Sequence, residues 1–212
     1  LFGSPARRRL LDEAIAAGRD WYYGDHGIFR RFQYYRVTRN AYQHPGTGHA
    51  SPHRFEQLHV QLQPWQPSIG GSIVICPNSP AYMAWYGIDA KQWTLDCIKR
   101  VGELSDRPIV VRWKASAKYR PFYVDLHLAS MVVVFSSACA IEALASGIPI
   151  CTLAPWASTA RMGIQSLDDL NTPYLPSIDE RDQFLFNLAD NQWTLAEIEQ
   201  GLAWRHFNAC AT

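Results

Sequence analysis

No stretch of the 212 residues approaches the roughly 20 consecutive apolar residues that a membrane-crossing helix needs. The opening residues also lack the basic-then-apolar order of a secretory leader. A cytoplasmic protein without a membrane span is therefore the default expectation, for a sequence that begins at Leu1 rather than at methionine. Cysteine is sparse and unpatterned. Cys76, Cys97, Cys139, Cys151 and Cys210 are odd in number and form no CxxC, as expected of free thiols in a reducing compartment. His26, His44, His49, His53, His59, His127 and His206 form no HExxH or comparable spacing, and no metal site is expected. Neither GxGxxG nor GxxxxGK[ST] occurs, which weakens the case for a dehydrogenase or a P-loop kinase. GxSxG is missing too, so nothing supports a nucleophile-elbow hydrolase.

What is present is ample material for a core: 48% of the residues are apolar and 13% aromatic, in a length that suits one large or two small domains. The net charge of +1 hides an asymmetry. Residues 1–60 carry nine arginines against five acids, whereas the remainder is acidic. The arginines alternate with Trp21, Tyr22, Tyr23, Phe29, Phe32, Tyr34, Tyr35 and Tyr42. Guanidinium groups pair with phosphates and aromatic rings stack on bases or sugar faces, so this mixture suits an anionic or sugar-like partner. The plainer reading is that many of these aromatics belong to a core.

Ser4-Pro5 opens a helical pattern over about residues 5–17, which Gly18 ends. "DWYYGDHGIF" and "FQYYRVTRNAYQ" read as two short strands around a polar turn, and "HPGTGHASPHR" reads as a loop. Proline and glycine concentrate in "LQPWQPSIGG", which places a boundary near residues 63–71. Beyond it the pattern alternates: a strand in "SIVICPNSP", a helix over about 91–104, a strand in "RPIVVRWK", a helical turn in "FYVDLHLA" and a strand over 131–135. The capping boxes Ser177–Glu180 and Thr194–Glu197 predict helices over about 179–190 and 195–206. The expected fold class is α/β. A Rossmann-like parallel sheet over residues 67–212, with the C-terminal helices, follows a smaller N-terminal α/β half over residues 1–66.

The stretch "VVVFSSACAIEALASGIPICTL" at residues 132–153 carries the chemistry. Val132 to Phe135 form a continuous apolar run, as in a parallel strand covered on both faces. Ser136 and Ser137 end it, a helix of small residues follows, and Gly147 with Pro149 stops the helix. In open α/β sheets ligands bind beyond the carboxyl ends of the strands, and backbone N–H groups at a helix start attract anions. Ser136 and Ser137 stand where phosphate oxygens would be held, and Glu142 can accept two hydroxyls from the same ligand, as a diphosphate with a ribose requires. The alternative is that the serines only cap the helix while Glu142 is solvated.

"FSSACAIEALASGIP" resembles the donor-site segment of GT-B glycosyltransferases, where a strand ends in small polar residues and leads into a helix of the form E-A-(L/M)-x-x-G-x-P. It is also similar to the equivalent segment of capsule-polysaccharide transferases and of sugar-nucleotide epimerases. The resemblance covers about fifteen residues as a motif and residues 72–205 as an order of elements. It implies a GT-B-like, metal-independent glycosyltransferase whose co-substrate is a nucleotide-sugar, with no further cofactor. Ser136 and Ser137 would hold the phosphates and Glu142 the ribose. Asn78 and Ser79, in "CPNSP" after the first strand of this half, would face phosphate or acceptor. Arg112 and Lys114, in "VRWK", would neutralise the leaving diphosphate, and Trp156 is a candidate platform for a base or sugar. In an inverting transfer a general base is needed. "YGDHGIF" offers Asp25 first and His26 second, against the plain reading of a turn aspartate beside an exposed histidine. The acceptor would be a polysaccharide or a nucleic acid carrying a modified base. Two rivals stay open: a non-catalytic nucleic-acid-binding or interaction protein on the same fold, and a sugar-nucleotide epimerase.

Overall fold

The computed structural model describes residues 5–66, 71–114 and 120–208. In chain order the first elements are α1 (Pro5–Ala16), β1 (Tyr22–His26), β2 (Tyr35–Arg39) and α2 (His53–Gln57). The middle of the chain holds β3 (Ser72–Cys76), α3 (Pro80–Trp85), α4 (Ala90–Leu104), β4 (Ile109–Val111), α5 (Phe122–Leu126), β5 (Ala129–Val134), α6 (Cys139–Ala145) and β6 (Ile150–Thr152). The chain then continues through α7 (Ile178–Asp190), β7 (Gln192–Trp193), α8 (Leu195–Glu199) and α9 (Leu202–Asn208). Among the described residues no helix is long and apolar enough to cross a membrane. Cys76, Cys97, Cys139 and Cys151 are free thiols, and Cys210 lies outside the described residues.

The described residues form two compact units, one within residues 61–181 and the other of residues 5–60 with 182–208. This differs from the expected division, which gave both C-terminal helices to the parallel-sheet half. The physical reason is strand pairing. β7 is only two residues long, yet it pairs antiparallel with β2, Tyr35 opposite Trp193 and Arg36 opposite Gln192. Residues 182–208 thereby complete the sheet β1-β2-β7. The helix expected over 195–206 is two helices, because Gly201 adopts φ +74° between α8 and α9. The Thr194–Glu197 capping box is present in full, whereas at Ser177 the hydroxyl oxygen accepts the Glu180 N–H at 3.2 Å.

In the unit of residues 61–181, β4, β3, β5 and β6 lie in that order in one parallel sheet. Every residue of β5 is buried, which explains its unbroken apolar run. Ile73, Ile75, Met131 and Val133 of the sheet pack with Cys97 and Val101 of α4 in one buried cluster. α6 ends at Gly147, whose φ of +70° suits glycine and whose backbone lies so close to the Pro64 carbonyl that a Cβ would meet its oxygen at 2.0 Å.

In the other unit, Tyr23, Phe29, Phe55 and Trp193 are buried. Of the aromatics that alternate with the N-terminal arginines, Tyr23 and Phe29 are core, Trp21, Tyr22, Tyr34, Tyr35 and Tyr42 are half-buried, and Phe32 is exposed. Among the described residues, several of the N-terminal arginines are also engaged internally. Arg9 pairs with Glu13, Arg36 with Asp25, Arg39 with Asp20 and Arg54 with Glu197, while Arg30 donates to the Leu58 and His59 carbonyls. Asn187 ties the loop before α2 to α7: its Nδ2 donates to the Gly46 and Gly48 carbonyls at 2.8 and 3.1 Å, and its Oδ1 accepts the Ala50 N–H at 2.9 Å.

His44, in the same loop, gives this unit an expected pH dependence. Its Nδ1 accepts the Gly46 N–H at 3.0 Å and must be unprotonated to do so. Burial first, and His206 second, lower it from 6.5 to about 4. Between these values the unfolded chain binds the proton that the folded chain refuses, so stability is full above about 6.5 and falls as pH drops toward about 4. The expected loss from this group is about 2 to 3 kcal/mol. Urea unfolding across that range should show it, and the His44→Gln variant should flatten the difference.

Candidate functional site

Chain order and sheet order disagree at one place in the parallel sheet. β3 comes first in the chain, β4 lies on one side of it and β5 on the other, so connections leave in opposite directions at the β3–β5 pair. A crevice opens at such a switch point, beyond the carboxyl ends of the two strands. The residues that follow β3 are Pro77, Asn78 and Ser79, and those that follow β5 are Phe135, Ser136 and Ser137.

The structure joins these two segments directly. Asn78 Oδ1 accepts the Ser136 N–H at 3.1 Å, and the Ser136 and Tyr82 hydroxyls share a hydrogen bond of 2.9 Å. The Cys76 and Cys139 thiols are hydrogen-bond partners; that bond first, and burial second, push the Cys76 thiol up. Ser136 is thus buried, with its N–H and hydroxyl used to fix the strand end. Ser137 is half-buried, and its Oγ accepts the Cys139 N–H at a long 3.4 Å. Ser79 serves as the N-cap of α3, accepting the Tyr82 N–H at 3.4 Å with Pro80 at the first helical position.

α6 is seven residues long, and its burial is one-sided. Ala140, Ile141, Ala143, Leu144 and Ala145 are buried, while Ala138 and Glu142, four residues apart and so on one helix face, are exposed. The acidic side chain in the first turn therefore lies on the exposed face of an otherwise buried helix, the face it shares with Ala138. Beyond β6, Trp156 is 45% exposed and stacks on Tyr86 at 4.8 Å and 22°, with Phe135 edge-on at 5.9 Å.

The two basic residues after β4 are placed differently from each other. Lys114 is exposed. Arg112 is buried, and its charge is met by Asp125, which also pairs with Arg120 at 2.9 Å. Its second terminal nitrogen donates to the Arg120 carbonyl at 2.8 Å, and its guanidinium lies 5.0 Å from the Phe122 ring centre. Arg112 thus organises the chain after β4 and does not present an unmatched charge. Sequence reasoning missed Asp125 and Tyr82. No spacing rule couples Arg112 to a carboxylate thirteen residues on, but the Ser79-Pro80 pair could have shown the helix that carries Tyr82.

Asp25 and His26 lie in the other unit, on opposite faces of β1, since successive strand residues alternate. Asp25 accepts three hydrogen bonds: from the His26 N–H at 2.8 Å, from the Tyr23 hydroxyl at 3.2 Å and from Arg36 at 2.9 Å. Burial pushes its carboxyl up, but the Arg36 guanidinium and these bonds outweigh burial and hold it below the ordinary 3.8. Such a carboxylate is a poor proton acceptor. The His26 ring packs against Phe32 at 4.9 Å and Tyr35 at 5.7 Å. Among the described residues no three His, Cys, Asp or Glu side chains group as metal ligands.

No family model matches the sequence, and no curated protein sequence does. Among solved structures the chain is similar to KpsC of Thermosulfurimonas dismutans, a beta Kdo 2,7 transferase, with a TM-score of 0.53 and 15% identity. The match covers 89% of this chain and 77% of that one. At this identity the likeness is one of fold. The chain has a Rossmann-like α/β fold of the kind that a glycosyltransferase also uses.

Proposed function

We propose that the chain is a glycosyltransferase that takes a sugar from a nucleotide-sugar and passes it to an acceptor hydroxyl. The observation that carries this is the β3–β5 switch point, where Asn78 fixes the strand end before Ser137 and Glu142 occupies the exposed face of α6. The similarity in fold to a beta Kdo 2,7 transferase supports the same class of reaction. In the transfer, the bond between the anomeric carbon and the phosphate oxygen breaks, and a bond from the acceptor oxygen to that carbon forms. The nucleotide departs with its phosphate charge, and the acceptor proton must leave.

Each residue then has a chemical task. Ser137 Oγ donates to a phosphate oxygen, Glu142 accepts the two ribose hydroxyls, and Lys114 offsets the charge that grows on the leaving phosphate. Asn78 and Tyr82 act through Ser136 as positioning residues. Trp156 offers an aromatic face for the base.

The test is a thermal-shift panel of UDP, GDP, CMP and ADP and their sugars, with and without divalent metal. At a hundredfold excess over Kd a ligand of the folded state contributes about 2.7 kcal/mol, or roughly 5 to 10 °C at this chain length. One nucleotide class should reach that shift, and its sugar should then be consumed only when an acceptor is added. An isomerised sugar formed without acceptor would point to an epimerase instead, and no shift with any nucleotide would count against a donor site.

A further inference from the structure

Two cysteines far apart in the chain meet at the switch point of the parallel sheet. Cys76 is the last residue of β3, in register opposite Val134 and 1% exposed. Cys139 is the first residue of α6 and is half-buried. Asn78 Oδ1, by accepting the Ser136 N–H at 3.1 Å, holds the segment after β5 against the segment after β3 and so brings the thiols together. Both are free, and the Cys76 S–H donates to the Cys139 sulfur.

The two thiols are not equivalent. Cys76 ends a strand that has β4 on one side and β5 on the other, and it is closed to solvent. Cys139 stands beside the exposed face of α6, because Glu142, three residues on and so its neighbour on the helix surface, is exposed. The bond from Cys76 first holds the Cys139 thiol below the usual 9.0; burial opposes it, the Ser137 hydroxyl adds to it, and Glu142 and Arg112 act in opposite senses. The thiolate is the nucleophile, so Cys139 is the reactive member and Cys76 a second sulfur already in contact with it. Cys97 and Cys151 differ: burial in the apolar core pushes both up to about 12, which leaves them inert.

We infer that Cys76 and Cys139 are a dithiol that a hydroperoxide closes to a reversible disulfide. The Cys139 thiolate attacks one peroxide oxygen, the O–O bond breaks, and Cys139 is left as a sulfenic acid while the departing oxygen takes up a proton. The Cys76 sulfur then bonds to the Cys139 sulfur and displaces hydroxide, which leaves as water with the Cys76 proton. The pair gives up two electrons and two protons, and hydrogen peroxide is reduced to two waters. Only Cys139 has to be reached from solvent. In a reducing compartment such a bond is transient, since thiols of the glutathione class reopen it.

Cys76 is locked in the sheet, so the movement from hydrogen-bond contact to bonding distance falls on the start of α6. The Cys139 N–H meets Ser137 Oγ at only 3.4 Å, and that contact is the first to be disturbed. Resting on the glycosyl-transfer reading above, the closed pair displaces Ser137 and Glu142 and weakens nucleotide binding.

The test is oxidation of the full chain by hydrogen peroxide, quenched with N-ethylmaleimide and followed by peptide mass spectrometry without reduction. A peptide pair joining Cys76 to Cys139, lighter than the two reduced peptides by a pair of hydrogens, should form first and be reversed by dithiothreitol. Cys97 and Cys151 should take up the alkylating reagent only after unfolding. In Cys76→Ala, Cys139 should go on to the sulfinic acid instead. A Cys139 sulfinic acid as the product in the unmodified protein, a disulfide joining any other two cysteines, or a pair that stays reduced until the fold is lost overturns the proposal. The nucleotide panel, run on the reduced and oxidised forms, separates the two readings. A shift lost on oxidation and regained with dithiothreitol supports both. A cross-link without a nucleotide response in either form keeps the dithiol and removes the transfer reading, and an equal response in both forms removes the coupling to Ser137 and Glu142.

Discussion

Replacing Glu142 by alanine is expected to abolish the nucleotide-induced rise in melting temperature while leaving the melting temperature of the free protein nearly unchanged. The two halves of this result have separate causes. Glu142 is exposed on α6, alanine is the best helix former, and the loss of one acidic group from the first turn costs no more than about 1 kcal/mol. A carboxylate that accepts two ribose hydroxyls contributes far more to the complex, at about 1.5 to 3 kcal/mol for each hydrogen bond to a charged group. Kd should therefore rise at least about a hundredfold. Glu142→Gln, which keeps one acceptor oxygen, should lose less. Calorimetric titration with the nucleotide that the panel selects measures both, and an unchanged Kd in the alanine variant would remove Glu142 from the site.

The largest expected effect on stability is at Asp125. Its side chain is 3% exposed, and it meets both Arg112, whose side chain is 6% exposed, and Arg120. Asp125→Ala would leave the Arg112 charge buried without its partner, a situation that costs about 3 to 5 kcal/mol. In a chain of this length that is a fall of roughly 10 °C in melting temperature. The double variant Arg112→Met, Asp125→Leu removes both charges and should recover much of the loss, because much of the single-variant cost is the desolvated charge left behind. Urea unfolding of the two single variants and the double variant checks this. A loss below about 1 kcal/mol in Asp125→Ala would mean that water reaches the guanidinium.

The parallel sheet was legible because its signals are local. The apolar run ending at Phe135, the small-residue helix and the Gly147–Pro149 stop gave β5, α6 and β6 almost residue by residue, and with them the place of Ser137 and Glu142. β7 was not legible. Gln192 and Trp193 form a strand only because β2 lies beside them, and a two-residue strand has no periodicity to read. For the same reason the C-terminal helices were assigned to the wrong neighbour: an amphipathic pattern shows that a helix buries a face, but not against which sheet. Arg112 was read as a strand-end cation, since sequence gives its charge but not the carboxylate that meets it. Likewise Asp25 was read first as a general base and otherwise as a turn aspartate, when the β1–β2 register sets it opposite Arg36. In each case the missing information was a pairing made by the fold between residues that no spacing rule connects.

The most direct measurement is hydrogen–deuterium exchange of the protein with and without the nucleotide that stabilises it. Slowed exchange is expected over residues 78–82 and 136–142, the segments that follow β3 and β5, with residues 22–39 unaffected by the nucleotide alone. Protection confined to other parts of the chain would contradict a donor site at the switch point of the parallel sheet.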